Sequence, residues 1–443
     1  MTPRERPAHP APAHPSAPQG RIGRSLPALL LATATLALAA LYATGHVAAY
    51  RAILVWMGGD PIIPPFIDTH AVLAALECHR QGIDVFAAMP CDLLGRPHVY
   101  GPVWLYLAPL PLGTAHTTAA GALLALLFIL GLRALPPARH RRDIAIMSLA
   151  CLSSMVAFAL ERGNNDIVIW LIVLAAVRLA QGGFARRGAA YGLIVLASVL
   201  KAYPVMLFVL ALRETPRRMA MVAAGAGIAI LAVVAQDPAV WQRSFGGIPN
   251  ARYAQAMFGA QNLPYGLADG LAGATATSLG TILYAVLTVF ILSLSVRFCA
   301  QLDLPYRVST LDSGETLFLM AGSAMLIGCF FSGPNIMYRG IHFLFVLPAL
   351  LALSRDQDGR TARLATVAAT FIVVLMWSEA IRHLLGAIAT TLTGTDATRA
   401  PVDRLVWVSG QIMTWWVIGV LGALLLSVSL TTPIGRRLWQ RGE

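Results

Sequence analysis

The residues best placed to do chemistry begin with Asp68. It stands in Pro61-Ile62-Ile63-Pro64-Pro65-Phe66-Ile67-Asp68-Thr69-His70, a short segment stiffened by three prolines. A helical pattern from Thr69 to Gln81 follows. A carboxylate at a membrane edge can take a proton from an attacking hydroxyl if its pKa lies near the working pH. Asp is also a favoured helix N-cap, and the two roles are compatible.

A second group runs through Glu77-Cys78-His79-Arg80, Asp84 and Cys91-Asp92, then Arg96, His98 and Tyr100. Cys, His and Asp together raise the question of a metal, but the spacing fits no zinc pattern, and none is expected. Cys78 and Cys91 share one extramembrane loop, so a bridge between them is open. Cys151, Cys299 and Cys329 fall in or near apolar spans. Arg80 and Arg96 could hold an anionic substrate group, or pair with Asp84 and Asp92.

Three further polar points interrupt apolar sequence. Glu161-Arg162-Gly163-Asn164-Asn165-Asp166 joins two spans. Polar residues so placed either face a cavity or form a solvated turn. Lys201, the sole lysine, lies within an apolar stretch and needs an anion. Arg339 and His342 are three apart and share a helical face. They could cradle a phosphate; snorkelling for Arg339 and a packing role for His342 are the plain alternatives.

What positions these groups is a membrane scaffold. Of 443 residues, 57% are hydrophobic and 12% charged, which excludes an ordinary soluble domain. Apolar spans are expected near 26–46, 115–135, 144–160, 166–180, 189–212, 217–235, 275–296, 315–332, 340–354, 363–383 and 405–429. Residues 103–112 are apolar but too short to cross. The formal charge of +12 could suggest nucleic acid, but its distribution sets topology instead. Alternate connecting segments carry 22 and 10 arginines. That bias places both termini in the cytoplasm and the polar points on the outer face. It requires 189–212 to enter and leave on one side, as a re-entrant hairpin broken at Pro204 with Lys201 near its tip. A single straight helix is the competing reading.

The expected fold is thus an all-α polytopic membrane protein of about ten spans, a re-entrant hairpin and short outer-loop helices. Residues 1–24 are expected to be a disordered cytoplasmic tail and 431–443 a basic one. A single membrane domain fills 25–430, with outer loops at 47–114, 236–274 and 384–404. The first apolar run is long for a signal peptide and reads as a retained helix.

The order of short motifs resembles glycosyltransferase family 87, the polyprenyl-phosphate-mannose-dependent mannosyltransferases of the GT-C superfamily. The motifs are Gly-x-Asp-Val-Phe (Gly82 to Phe86), Tyr-x-Pro (Tyr100 to Pro102), the Asn-bearing turn, Leu-Lys-Ala-Tyr-Pro (Leu200 to Pro204), and Ser-Gly-Pro from Ser332 followed by His342. The resemblance covers about residues 50–350. It implies a GT-C-like bundle in a bacterial inner membrane that moves a hexose, mannose above all, from a polyprenyl-phosphate sugar to a lipid or envelope-glycan acceptor. It implies no cofactor beyond that donor. Asp68 falls where the family has its base. His342, with Lys201, Arg162 and Arg339, would meet the donor phosphate; Asn164, Asn165, Asp166, Arg80, Arg96 and Tyr100 would meet substrate. A transporter or lipid-carrier flippase is the rival, since broken spans and a buried lysine suit that class too.

Overall fold

Helix α1 (Ala17–Ala43) starts before the apolar run and takes in part of the expected tail. The computed structural model describes residues 17–247, 256–269, 273–333 and 335–440; the outer parts of both tails, 1–16 and 441–443, fall outside them. After α1 come α2 (Val47–Trp56), α3 (Ile67–Arg80), α4 (Thr117–Gly131), α5 (Arg141–Cys151), α6 (Ser154–Arg162), α7 (Asn165–Ala180) and α8 (Phe184–Leu200). A 3-10 limb, Tyr203–Arg213, precedes α9 (Pro216–Val234), α10 (Pro238–Gly246), α11 (Asn262–Ala268), α12 (Gly273–Gln301) and α13 (Leu304–Val308). The chain ends with α14 (Ser313–Phe331), α15 (Phe343–Leu353), α16 (Gly359–Met376), α17 (Ser378–Thr393), α18 (Arg399–Thr431) and α19 (Pro433–Gln440). The strands described are two antiparallel two-residue pieces, β1 (Met257–Phe258) and β2 (Asn335–Ile336).

The protein is an all-α polytopic membrane protein. Seven of the described helices are long and apolar enough to cross a bilayer, and α5–α6, bent by 43°, makes an eighth. The other two expected spans, α7 and α15, are shorter helices of 16 and 11 residues; α15 continues from the 3-10 turn Met337–His342, so that this limb runs from Arg339, beside Asp166, to Arg355, beside Asp143. The expected outer loop 384–404 is largely helical. Leu384, Ile388 and Leu392 recur every fourth residue and continue α17 to Thr393, and α18 begins at Arg399. The span expected over 363–383 breaks at Trp377, between α16 and α17.

Helix α14 is hydrophobic all round and sits at the centre: 78% of its apolar window is buried, against 6% for α9. Helix α15 packs on α14, and Phe345 stacks on Trp170 of α7 with ring centroids 5.0 Å apart.

Ion pairs and close contacts sort the connections into two ends. At one end Arg139 meets Asp312 and Glu315, Arg355 meets Asp143, and Arg307 meets Asp356. At the other, the Phe66 amide donates to the Glu161 carbonyl at 2.8 Å, Asp68 meets Asn164, and Arg339 meets Asp166. The first set lies in the high-arginine connections of the sequence and the second in the low-arginine ones. The stretch 189–212 doubles back: Arg187 pairs with Glu214 at 2.7 Å, and the Tyr191 hydroxyl reaches the Leu210 carbonyl and Glu214. The two limbs, α8 and the 3-10 limb, therefore leave Lys201 at their turn, on the Asp166 side.

Candidate active site

Asp68 lies in the first turn of α3 and is not its cap. The capping position is Phe66, whose φ of 69° turns the chain sharply into the helix. The side chain of Asp68 is thereby free for other partners. Asn164 Nδ2 donates to Oδ2 at 2.6 Å, and Arg96 donates to Oδ1 at 3.2 Å. Its side chain keeps 11% exposure, so one edge stays reachable. Arg96 is itself clamped by Asp92 at 3.0 and 3.1 Å and by the Ile67 carbonyl at 2.9 Å. Burial alone would raise the Asp92 carboxyl. The Arg96 guanidinium, with the amides of Arg96 and Leu94, reverses this and holds it below the usual range.

The 161–166 turn delivers the next groups. Gly163 has φ +54°, and a Cβ there would come within 2.4 Å of Thr69 Oγ1, which donates to the Gly163 carbonyl at 2.6 Å. That close approach seats the turn on α3. Asn164 then caps α7, its Oδ1 accepting from the Asp166 amide at 2.8 Å, while its Nδ2 holds Asp68.

Asp166 has no exposed surface, and three later residues meet it. Lys201 Nζ is 2.8 Å from Oδ1 and Arg339 Nε is 3.5 Å from Oδ2, while the Tyr203 hydroxyl donates to Oδ1. The Arg339 guanidinium lies 4.8 Å over the Tyr203 ring, and Lys201 lies 5.5 Å from the Tyr100 ring centroid. Tyr203 has spent its proton on Asp166, so the 3.3 Å contact with His342 needs a proton on His342 Nε2. Arg339 and His342 occupy a 3-10 turn, Met337–His342, where residues three apart eclipse. Two cations around one carboxylate leave one surplus positive charge in a largely buried place.

The structure thus brings together Asp68, Arg96, Asn164, Asp166, Lys201 and Arg339, with Tyr100 against Lys201. His342 stands behind Tyr203 and is wholly buried. Asn165 is buried beside Asn164, and its Nδ2 has no hydrogen-bond partner. Two residues lie apart. Arg162 turns away to the Asp60 carbonyl, 3.2 Å, and the Phe158 ring, 5.0 Å. Arg80 tethers the apolar 103–112 segment, donating to the carbonyls of Ala108, Leu110 and Leu112. Asp84 pairs with Arg243 rather than with Arg80. Tyr203 and Asn335 escape the sequence reading. Asn335 accepts from Arg339 four residues on, a spacing that could have signalled it. Cys78 and Cys91 form a disulfide that ties the end of α3 to the loop bearing Asp92 and Arg96.

Fold and site together define a polytopic membrane protein with a charged, largely buried cluster at one end of its helix bundle. The family profile named glycosyltransferase family 87 matches residues 98–332, over half of the chain, and the chain belongs to that family. It is a membrane glycosyltransferase. The matched stretch contains Asn164, Asp166 and Lys201, and leaves Asp68 before it and Arg339 and His342 after it. Comparison with curated proteins and with solved structures gives no match.

Proposed function

We propose that the protein moves a hexose, mannose in the first instance, from a polyprenyl-phosphate sugar to a lipid or glycan acceptor on the outer face of a bacterial inner membrane. The observation that carries this reading is that an acid and a cluster with one surplus positive charge share one amide, Asn164. Asp68 accepts the acceptor hydroxyl proton. The hydroxyl oxygen bonds to the anomeric carbon as the bond from that carbon to the phosphate oxygen breaks, and the polyprenyl phosphate leaves with the electron pair. Attack opposite the leaving group inverts the anomeric centre.

Both Asp68 oxygens already accept one hydrogen bond, yet each retains a second lone pair for the substrate. Arg96 and Asn164 fix the carboxylate's rotamer. Lys201 and Arg339 offer the surplus charge to the phosphate, where negative charge grows as the bond breaks. His342 acts as a positioning residue through Tyr203. Arg162 and Arg80 are outside this mechanism. No cofactor enters apart from the donor lipid.

The test is transfer from radiolabelled polyprenyl-phosphate mannose, and from the glucose and galactose analogues, to membrane lipid acceptors. Asp68→Asn should abolish transfer. Glu77→Gln, whose carboxylate is spent on Thr114, should keep it. Full-rate transfer by Asp68→Asn, or lipid movement across vesicles with no transfer, defeats the proposal.

A further inference from the structure

A groove of about 320 Å³ runs between α1, α2, α4 and the bent α5–α6 pair. Leu31, Leu38, Leu54, Ala122, Ala125 and Leu160 are among the apolar side chains that line it. Along α1 it extends from Leu31 to Ala43. At about 1.5 Å per residue that is a channel of about 18 Å, parallel to a helix that crosses the bilayer. Its polar end is formed by Tyr42, Tyr50 and Glu161, beside Pro65 and Phe66, two residues before Asp68.

Glu161 is the groove's one charged residue. Its side chain is 3% exposed, and neither carboxylate oxygen has a hydrogen-bond partner. The Ile62 backbone and the Nε of its neighbour Arg162, at 3.6 Å, are its nearest polar partners. A carboxyl so enclosed and held at such range has room for further donors. The mechanism above does not use it. A phosphate diester or dianion offers this carboxyl no donor, whereas the hydroxyl groups of an uncharged head can donate to its two oxygens. The turn then orders the groups in space: Glu161 at the groove, Asn164 holding Asp68, Asp166 at the cations.

We infer that this groove binds the chain of a lipid acceptor with an uncharged, hydroxyl-bearing head, and that Glu161 receives hydrogen bonds from that head. The inference rests on the reading of Asp68 as the base and assigns the acceptor to the side away from Lys201 and Arg339. The acceptor hydroxyl then reaches Asp68 from the Glu161 side, and the donor phosphate lies on the Asp166 side.

The full-length protein in phosphatidylcholine nanodiscs is photolabelled with two probes that carry the same diazirine-tipped twelve-carbon chain. One is an alkyl glycoside and the other an alkyl phosphate. The glycoside should label α1 and α4 saturably, at residues 31–43 and 118–125. Ala34→Trp or Ala122→Trp should remove that labelling, with Ala34→Leu as the milder variant if tryptophan prevents folding. Glu161→Gln should raise the glycoside's half-saturation about tenfold or more, the size of a hydrogen bond to a charged group, and should leave the phosphate probe no weaker. Labelling that never saturates, or that ignores the groove-filling variants, would mean a lipid-facing surface only. Equal labelling by the alkyl phosphate would assign the groove to the donor tail. Either result overturns the inference. Sugar transfer is measured in parallel: saturable labelling without transfer defeats the proposed function alone, and transfer without saturable labelling defeats the groove alone.

Discussion

Asn164 donates to Asp68 from one end of its amide and caps α7 with the other, so a single side chain sets the acid against the start of the helix that carries Asp166. The two duties are separable. Asn164→Ser keeps a good cap but is too short to reach Asp68. It should retain melting temperature while kcat falls roughly ten- to a hundredfold, the size of a hydrogen bond to a charged group. Asn164→Ala should lose the same activity and about 1 kcal/mol of stability as well. A serine variant with wild-type kcat would show that the contact does nothing for catalysis.

Asp166 with Lys201 and Arg339 predicts opposite outcomes for two neutralising changes. Lys201→Met leaves a one-to-one pair of Asp166 and Arg339. It should fold, yet lose charge stabilisation at the leaving phosphate, seen as a lowered kcat together with a raised KM for the polyprenyl-phosphate sugar. Asp166→Asn strands two cations whose side chains are only 8% and 17% exposed. Breaking a buried pair this way costs about 3–5 kcal/mol. A thermal melt in detergent should therefore show Asp166→Asn as the far less stable variant. Equal melting temperatures for the two would contradict the charge argument.

Much of this arrangement was legible in the sequence. The arginine bias sorted the connections into the two ends that the ion pairs define, and it required 189–212 to fold back at Lys201, as the Arg187–Glu214 pair requires too. Both follow because charge at span ends is a local property of the chain. The breaks within spans were less legible, because apolar composition runs on through Trp377, where α16 gives way to α17, and through the bend between α5 and α6. Direction was illegible as well. Arg162 and Asn164 sit two residues apart, yet the left-handed turn at Gly163 sends them to opposite sides. The capping of α3 by Phe66 instead of Asp68 also depends on φ at one residue, which residue type does not reveal.

The Cys78–Cys91 bridge closes a 13-residue separation that ends directly before Asp92 and shortly before Arg96. A bridge of that reach contributes about 3 kcal/mol by chain entropy. The other three cysteines are free and buried. Maleimide applied to the denatured protein should therefore modify three cysteines before reduction and five after it. Cys78→Ser with Cys91→Ser should speed proteolysis within 78–100 and lower transfer by loosening Arg96. Five reactive cysteines without reductant would remove the bridge from the structure.

His98 gives the loop a pH dependence whose sign can be worked out. It is buried between Phe86 and Tyr100, and burial pushes its pKa down to about 4. An unfolded histidine titrates near about 6.5. Between those values the unfolded chain binds the extra proton, so stability falls as pH drops from about 6.5 towards 4 and is unaffected by this group above 6.5. The full window corresponds to about 3 kcal/mol. His98 Nε2 has no hydrogen-bond partner, and the ring's polar contact is with the Gly101 backbone, so His98→Phe should fold at the loss of that one contact. Melting temperature measured from pH 7.5 to 4.5 should decline more steeply in the wild type than in His98→Phe. Asp92 works against any confusion of the two: its carboxyl, held below the usual range, stays ionised through this window and keeps Arg96 clamped. Parallel melting curves for wild type and His98→Phe would rule out a buried neutral imidazole at this position.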